Sequence, residues 1–440
     1  MRIRRTLTIL LTVVAPTITL TVAAVPPALA EVAMLGPDFE FGVAQAGFQS
    51  EGYSADSNFL RYGNEGKLPE PVGNAVDFRH QYSQDIARAA ALGVKLYRFS
   101  IEWARVQPRP DAYDPEGWGF YDAVIEHIVA AGMTPMITLN HWVHPGWAVD
   151  RSGWNRPEMA TDLIAFAKQA VDRYAWSNPL WITFNEPTEY VRRELMYGGL
   201  SPEHTMTMVD GIIRAHREIH GYIHAVQPGA QVSSNIAFMP IPGVEPALES
   251  AFLDRMIDSS DFIGVDQYYS VSATDFSTYA FGLSGQYWNQ SQAPESIYYV
   301  LRYLAGKYPD KPLRIIENGL ATDPRQGRAD GYRRADHLRD TVYWIQRARQ
   351  DGINVVSYNY WSLTDNYEWG DYTPRFGLYT VDAVTDPALT RRPTEAVQAY
   401  RDITAHNGVP AAYRPTRAPV ECSLVTVPDS CIHAVTITPR

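Results

Sequence analysis

The sequence predicts one closed (β/α)8 barrel of the TIM type, with its active site at the C-terminal ends of the strands. Three observations predict this fold: eight short apolar runs, helical periodicity between them, and glycines where the helical segments end. The 440 residues are 45% hydrophobic and 20% charged, which is enough for a large core. A doubly wound open sheet is the alternative, but no G-x-G-x-x-G follows the first run.

The predicted elements alternate along the whole chain. The strand runs, in order, are FGVAQAGF from Phe41, KLYRFSI from Lys95, PMITLNH from Pro135, LWITFNE from Leu180, QVSSNIAF from Gln231, DFIGVDQYY from Asp261, LRIIENG from Leu313 and VVSYNYWSL from Val355. Helical spacing between them is exemplified by Phe120, Val124 and Ile128, and by Leu338, Val342 and Ile345, with Gly93, Gly132, Gly229 and Gly352 as predicted C-caps. Strands that alternate with helices imply right-handed crossovers and a parallel sheet, and eight such units close into a barrel.

The N-terminal residues 1–30 have the features of a signal peptide. A basic MRIRR start leads into an apolar run, and ALA precedes Glu31 as a small-residue cleavage site. An uncleaved membrane anchor is the alternative, because the apolar run is long, but three prolines and the ALA box favour cleavage near Ala30. The sequence therefore predicts a secreted protein whose barrel occupies residues 31–407.

The charge of the mature chain limits its partners. Cleavage removes three arginines and no acid, so it lowers the formal net charge of −11 by three. An acidic surface repels phosphate backbones and anionic lipids, which argues against nucleic acid and membrane partners. No later stretch is apolar and long enough to span a bilayer.

The two cysteines lie in a C-terminal extension, residues 408–440, whose composition differs from that of the barrel. In an exported protein, Cys422 and Cys431 are expected to close a small disulfide loop. Two free thiols or a metal pair are the alternatives.

Two predicted strands end in a glutamate beside an asparagine. Asn185 and Glu186 end the fourth run, and Glu317 and Asn318 end the seventh. These strands face each other across a barrel, so both acids are expected in one cleft. Two converging acids suit hydrolysis of an acetal, in which one protonates the leaving oxygen and the other attacks or stabilises the sugar centre. The alternative for each glutamate is a helix cap or an arginine partner at the rim.

The segments TFNEP, IIENG, WSLTDNYEW and RFGLYTVD, in this order, resemble the signatures of glycoside hydrolase family 1, the β-glucosidase and β-galactosidase family. The similarity extends from about Phe39 to about Asn407. AQAGFQSEG near the start is similar to the archaeal type of β-glycosidase.

The resemblance implies a catalytic role for four residues. Glu186 matches the general acid/base and Glu317 the nucleophile of a double displacement, with net retention and carboxyl groups roughly 5 Å apart. Arg98 matches the cation that keeps Glu317 ionised, and Tyr268 the tyrosine that contacts the nucleophile. The charge of Glu317 is expected to keep Glu186 protonated until attack.

The resemblance also implies a sugar-binding shell. The matching residues are Gln49, His141, Asn185, Glu368 and Trp369 for hydroxyl contacts, and Trp361 for stacking. Ordinary core packing is the alternative for Trp361, and a hydrogen-bonded strand-end histidine for His141. Members that act on 6-phospho-sugars replace the pair at 368 and 369 and add a lysine, whereas residues 366–376 here contain none. An unphosphorylated sugar is therefore predicted.

Two features depart from the family pattern or lie outside it. Asp266 stands where most members have asparagine, and a third carboxylate raises the pKa of its neighbours unless an arginine offsets it. His216, His220 and His224 lie at i, i+4 and i+8 of a predicted helix. Histidines one turn apart can bind zinc, but solvated helix faces commonly carry histidine, so no metal site is predicted.

The sequence therefore predicts a secreted retaining β-glycosidase, most simply a β-glucosidase acting on terminal sugars, with a small carbohydrate as its substrate. It predicts no cofactor and carries no signal for the aglycone or the oligomeric state. A transglycosylase on the same scaffold is one alternative, because it shares the covalent intermediate. A non-catalytic sugar-binding protein is another, although the presence of both Glu186 and Glu317 argues against it.

Overall fold

The computed structural model describes residues 31–238, 245–269 and 284–419, together with Phe281. The predicted signal peptide and the predicted disulfide between Cys422 and Cys431 lie outside the described residues.

Eight parallel strands form a closed barrel in chain order. They are β1 (Glu40–Ala44), β2 (Leu96–Ser100), β3 (Thr134–Thr138), β4 (Leu180–Asn185), β5 (Gln231–Ala237), β6 (Ile263–Asp266), β7 (Leu313–Asn318) and β8 (Val355–Trp361). Pairing of β8 with β1, in which Asn359 lies opposite Gly42, closes the barrel. Each strand overlaps one of the eight runs, with β1 and β3 beginning one residue earlier, so the predicted (β/α)8 fold is confirmed.

Helices cover the barrel and its loops. The α-helices are α1 (Gly47–Ser50), α2 (Asn58–Asn64), α3 (Phe78–Ala90), α4 (Trp103–Val106), α5 (Pro115–Ala130), α6 (Gly146–Asp150), α7 (Glu158–Tyr174), α8 (Pro187–Tyr197), α9 (Thr205–Val226), α10 (Glu245–Ala251), α11 (Leu253–Met256), α12 (Ser296–Lys307), α13 (Arg334–Gln350) and α14 (Glu395–His406). Short 3-10 turns occupy Gly153–Asn155, Ala175–Ser177, Pro202–His204, Ile257–Ser259 and Tyr287–Asn289, and β9 (Tyr379–Thr380) pairs antiparallel with β10 (Arg392–Pro393). In the described part of the chain, no helix is both long and apolar enough to cross a membrane.

Local sequence explains how these helices begin and end. The side chain of Asp114 caps α5 by accepting hydrogen bonds from the amides of Glu116 and Gly117, at 3.1 and 3.2 Å, just before Pro115 starts the helix. Three of the predicted C-cap glycines, Gly93, Gly132 and Gly352, have φ values of 77°, 76° and 89°. The fourth prediction is wrong: Gly229 does not have a positive φ, and the C-cap of α9 is Gln227, with φ −135° and ψ 82°.

The barrel interior is apolar below the polar strand ends. Its buried cluster consists of Leu96, Met136, Leu180, Ile182, Phe262 and Ile316. Several of these residues precede a polar residue at the C-terminal end of the same strand, as Ile316 precedes Glu317. The polar strand ends therefore stand beside buried apolar side chains, where charges are weakly screened.

The first part of the C-terminal extension packs on the barrel. The Val409 amide donates to Gln346 Oε1 of α13 at 2.7 Å, and the Tyr413 hydroxyl donates to Asp340 Oδ1 at 2.6 Å. Arg417 forms an ion pair with Asp330 at 2.6 Å. The extension thus continues over the outer face of α13 before the described residues end.

Candidate active site

Glu186 is held where β4 turns into α8. Its backbone adopts a left-handed conformation, with φ 38°, at the N-cap of α8, and Pro187 starts the helix. Its amide donates to the carbonyl of Asn235 on β5 at 3.0 Å. The strained turn is therefore anchored to the neighbouring strand, and the side chain is 9% exposed.

Both oxygens of the Glu317 carboxylate, at the end of β7, have donors. The Tyr268 hydroxyl donates to Oε2 at 2.6 Å, and Arg98 Nη1 donates to Oε1. Arg98 is fully buried, and its Nε donates to Thr138 Oγ1 at 2.9 Å. The Glu317 carboxylate is therefore held in place by a guanidinium and a hydroxyl.

The barrel brings three carboxylates together. One oxygen each from Glu186, Asp266 and Glu317 lies within 4.8 Å of the other two. These side chains come from the ends of β4, β6 and β7, which meet at the C-terminal face. Three such oxygens could bind a cation, but Arg98 and Tyr268 already occupy the two oxygens of Glu317.

Asn185 links this cluster to its neighbours. Its Oδ1 accepts hydrogen bonds from Arg98 Nη2 at 2.6 Å and from Asn235 Nδ2 at 2.7 Å. Its Nδ2 therefore faces Glu186, whose Oε2 lies 3.4 Å away. The two donors fix which side of the amide faces the cleft, so Asn185 presents a donor there.

The cluster shifts the pKa of Glu186 in one direction. Burial raises it well above the usual value, and the negative charge of Glu317 raises it further. Arg98 opposes this rise, and so does a hydrogen bond with Asp266. A protonated Glu186 beside the arginine-paired Glu317 gives one acid and one carboxylate in the same cleft.

Asp266 is also buried, and its pKa is raised first by burial and then by the charges of Glu317 and Glu186. Asn235 Nδ2 donates to Asp266 Oδ2, while Asp266 Oδ1 has no hydrogen-bond partner. The predicted third carboxylate is thus inside the cluster. Asn235, which bonds both Asn185 and Asp266, was not predicted, although it is a polar residue near the end of the fifth run.

A second polar group lies beside the carboxylates and contains residues that the family resemblance assigns to sugar hydroxyls; we call it the sugar-facing group. Gln49, on α1, donates from Nε2 to Glu368 Oε2 and to Asn366 Oδ1, both at 3.2 Å. Trp361 Nε1 donates to Glu368 Oε1 at 3.0 Å. Burial raises the pKa of Glu368 to about 8, although the hydrogen bond from Trp361 opposes it. Asn366 was not predicted, and it lies inside the WSLTDNYEW signature.

Aromatic rings pack beside this group. His141 stacks on Trp361 at a centroid distance of 6.1 Å and on Trp369 at 5.7 Å, and Trp142 lies 4.4 Å from Trp369. Burial lowers the pKa of His141 well below its usual value, and the charge of Arg98 adds to this, so the imidazole is neutral. Its Nδ1 is buried without a partner, as is Oε1 of Gln49. Unpaired buried polar atoms at the C-terminal face are suited to a polar ligand.

Every predicted catalytic and sugar-binding residue therefore lies at one end of the barrel. The residues are Gln49, Arg98, His141, Asn185, Glu186, Asp266, Tyr268, Glu317, Trp361, Glu368 and Trp369. The charge of Glu317 also contributes to the raised pKa of Glu368, which joins the sugar-facing group to the carboxylates.

Comparisons with known proteins agree on one family. The sequence model of glycosyl hydrolase family 1 matches residues 32–250 and 221–409. β-Glucosidase A of Thermotoga maritima is 26% identical and covers 84% of this chain and 98% of its own length. β-Glucosidase 28 of Arabidopsis thaliana is 27% identical and covers 83% of this chain and 80% of its own length. A solved β-glycosidase from Pyrococcus horikoshii superposes with a TM-score of 0.73 at 25% identity, over 86% of this chain and 96% of its own.

Proposed function

The chain belongs to glycosyl hydrolase family 1 and is a glycoside hydrolase, and from that premise we propose that it is a retaining β-glucosidase. Its substrate would be a terminal, unphosphorylated β-linked glucose. One observation carries the proposal: one carboxylate oxygen of Glu186 lies within 4.8 Å of one carboxylate oxygen of Glu317. Retaining enzymes place the two carboxyl groups about 5 Å apart, whereas inverting enzymes leave roughly 6.5–9.5 Å for a water.

In the first step, Glu317 attacks the anomeric carbon while Glu186 gives its proton to the glycosidic oxygen. Glu317 is suited to attack because Arg98 and Tyr268 orient both of its oxygens. Glu186 is suited to donate this proton because burial and the charge of Glu317 raise its pKa. The aglycone leaves with the proton, and the sugar is joined to Glu317 as an ester.

In the second step, water replaces Glu317 on the anomeric carbon. The ester has no negative charge, so the charge that helped to raise the pKa of Glu186 is gone and that pKa falls. Glu186 can then take a proton from the attacking water. Two displacements at the same carbon return the original anomeric configuration.

The sugar-facing residues fit an unmodified hexose. Asn185 Nδ2 offers a donor for a hydroxyl beside the reacting carbon, while Gln49 and Glu368 form a polar pair for adjacent hydroxyls. The segment 366–376 lacks lysine, and its Arg375 is paired with Asp365 at 3.2 Å. Nothing in that segment is therefore placed for a sugar phosphate. The glucose preference is supported by the β-glucosidase names of the two sequence relatives.

Exchange of the two glutamates for alanine, with azide as an added nucleophile, tests the assigned roles. Wild type should release β-glucose first from an aryl β-glucoside, observed by NMR. Glu186→Ala should be rescued by azide to the β-glucosyl azide, because azide attacks the ester from the face opened by the lost acid. Glu317→Ala should give the α-glucosyl azide, because azide then attacks the substrate directly.

Glu126→Ala, an exposed glutamate on α5, is the matched control and should turn over substrate like wild type. α-Glucose as the first product of wild type, or the same azide anomer from both variants, would contradict the assignment. The same spectra detect transfer of glucose to a second sugar, which would identify a transglycosylase.

We also propose that the protein is secreted. The basic MRIRR start, the apolar run after it and ALA before Glu31 support this. N-terminal sequencing of the exported chain should begin at Glu31, and a retained Met1 in a membrane fraction would contradict cleavage.

A further inference from the structure

The three histidines of α9 do not share one environment. His216 is fully buried: its Nδ1 lies 2.7 Å from Thr183 Oγ1 on β4, and its Nε2 lies 3.3 Å from Ser260 Oγ. Both ring nitrogens are therefore engaged within the fold. His220 and His224 lie one and two turns further along and are partly exposed.

His220 and His224 meet a carboxylate that the sequence pattern did not connect to them. Asp261, two residues before β6, places Oδ2 at 2.9 Å from His224 Nε2 and Oδ1 at 3.5 Å from His220 Nε2. One ligand atom from each of the three residues lies within 4.8 Å of the other two. The two imidazole centroids are 4.4 Å apart.

We propose that His220, His224 and Asp261 form a binding site for a divalent transition metal of the zinc type. Tetrahedral zinc with bonds of about 2.0–2.1 Å keeps its ligand atoms roughly 3.3 Å apart. The two nitrogen-to-oxygen distances, 2.9 and 3.5 Å, lie on either side of that value. Two imidazoles and a carboxylate suit zinc, whereas magnesium and calcium prefer oxygen ligands alone.

Neighbouring backbone groups orient these ligands. His224 Nδ1 lies 3.4 Å from the carbonyl of Pro228, which leaves Nε2 turned to Asp261. The amide of Val232, on β5, donates to Asp261 Oδ2 at 2.8 Å. Such outer contacts fix the tautomer of a ligating histidine and the direction of a ligating carboxylate.

The site is open on one side. The side chains of His220, His224 and Asp261 are 19%, 28% and 25% exposed, so a cation can enter from solvent and keep a water as its fourth ligand. Asp261 precedes β6, whereas Asp266 at the other end of that strand belongs to the carboxylate cluster. The metal would therefore join α9 to the N-terminal ends of β5 and β6, away from the catalytic acids, and would stabilise the fold.

Zinc titration of the chelator-treated mature enzyme by calorimetry, with melting curves, tests the site. Wild type should bind one zinc, and its Tm should rise by about 3–6 °C at a concentration about a hundredfold above Kd. His224→Ala and Asp261→Asn should each weaken binding more than about a hundredfold, since even outer-shell partners are worth 10–100-fold. The rise in Tm should disappear with them.

His406→Ala, an exposed histidine on α14, is the matched control and should bind zinc like wild type. Equal Tm values of the variants and wild type in chelator would establish that folding is intact. Unchanged zinc affinity in His224→Ala overturns the proposal. This outcome includes the case in which zinc binds at the catalytic acids instead and only inhibits turnover. Absence of a rise in Tm in wild type overturns it as well. Neither result alters the proposed glucosidase chemistry, which the azide products test separately.

Discussion

Two clusters of three ionisable groups lie at opposite ends of the barrel strands. Glu186, Asp266 and Glu317 bring their oxygens within 4.8 Å at the C-terminal face, as do the ligand atoms of His220, His224 and Asp261 near the other end. Both sets meet the same 4.8 Å limit, but their burial and their signs of charge differ. We call these sets the acid cluster and the histidine cluster.

Burial and charge decide what each cluster can do. In the acid cluster, burial raises the pKa values of Glu186 and Asp266, and weakly screened repulsion from Glu317 raises them further. The histidine cluster pairs bases with an acid in contact with water, where such contacts contribute little to stability. Proximity alone therefore does not make a site reactive. Burial from water and an excess of one sign of charge are needed as well.

Arg98→Met should have the largest effect, because it removes the buried cation that faces Glu317. Loss of one partner of a buried ion pair costs roughly 3–5 kcal/mol of unfolding free energy. We also expect kcat/KM to fall at least about a thousandfold, since the nucleophile loses its orienting donor. Urea unfolding and turnover of an aryl β-glucoside measure the two effects.

The double variant Arg98→Met/Glu317→Gln separates these two effects. With the unpaired carboxylate replaced by an amide, stability should recover towards the wild-type value while activity stays lost. A double variant no more stable than Arg98→Met would mean that the acid cluster does not depend on Arg98 for charge balance.

Glu368→Gln should weaken glucose binding about 10–100-fold, the value of a hydrogen bond to a charged group. Burial raises the pKa of Glu368 to about 8, and hydroxyl donors favour its ionised form. Glucose binding should therefore release a proton below pH 8, and affinity should rise up to about tenfold per pH unit. Competitive inhibition by glucose from pH 5.5 to 9 measures this slope.

The slope should be absent in Glu368→Gln and present in Gln49→Ala, which loses a contact but no titratable group. An equal slope in both variants would assign the proton to the acid cluster instead.

Asp266→Asn should have a smaller effect, confined to the pH profile. An amide at position 266 still offers Glu186 a hydrogen-bond partner, but it lacks the negative charge that Asp266 carries above its raised pKa, so Glu186 should give up its proton more readily. The basic limb of the kcat/KM profile should move to lower pH, with less than about a tenfold change at the optimum. Asp258→Asn, an exposed acid outside the cluster, should leave the profile unchanged.

Superimposable wild-type and Asp266→Asn profiles would show that Asp266 is electrostatically silent. A shift to higher pH would mean that its hydrogen bond to Glu186 outweighs its charge.

The sequence predicts the acid cluster better than its supporting contacts. Short apolar runs, with helical spacing between them, predict the eight strands, and a barrel brings strand ends such as Glu186 and Glu317 together whatever the details of packing. Asn235 and Asn366 were missed because their partners depend on strand register and loop shape. The left-handed backbone at Glu186 is likewise a consequence of anchoring to β5, which local propensity does not encode.

The histidine cluster illustrates the opposite case. The i, i+4 spacing of His220 and His224 is visible in the sequence, but Asp261 joins them only through the docking of α9 beside β6. Nothing near Asp261 in the sequence indicates that contact. Side chains that meet across two elements follow from tertiary packing, whereas strand-end residues follow from topology.

His224→Ala in the presence of chelator should have the smallest effect. It removes one contact to a carboxylate that keeps the hydrogen bond from the Val232 amide and the contact with His220, so the unfolding free energy should change by less than about 1 kcal/mol. Turnover should stay within about twofold of wild type, because the site lies at the end of the barrel away from Glu317. The free energy of unfolding and kcat/KM of this variant, both measured in chelator, test these two expectations. A large loss of activity without metal would mean that the two ends of the barrel are coupled, and the separation between a catalytic acid cluster and a stabilising histidine cluster would be wrong.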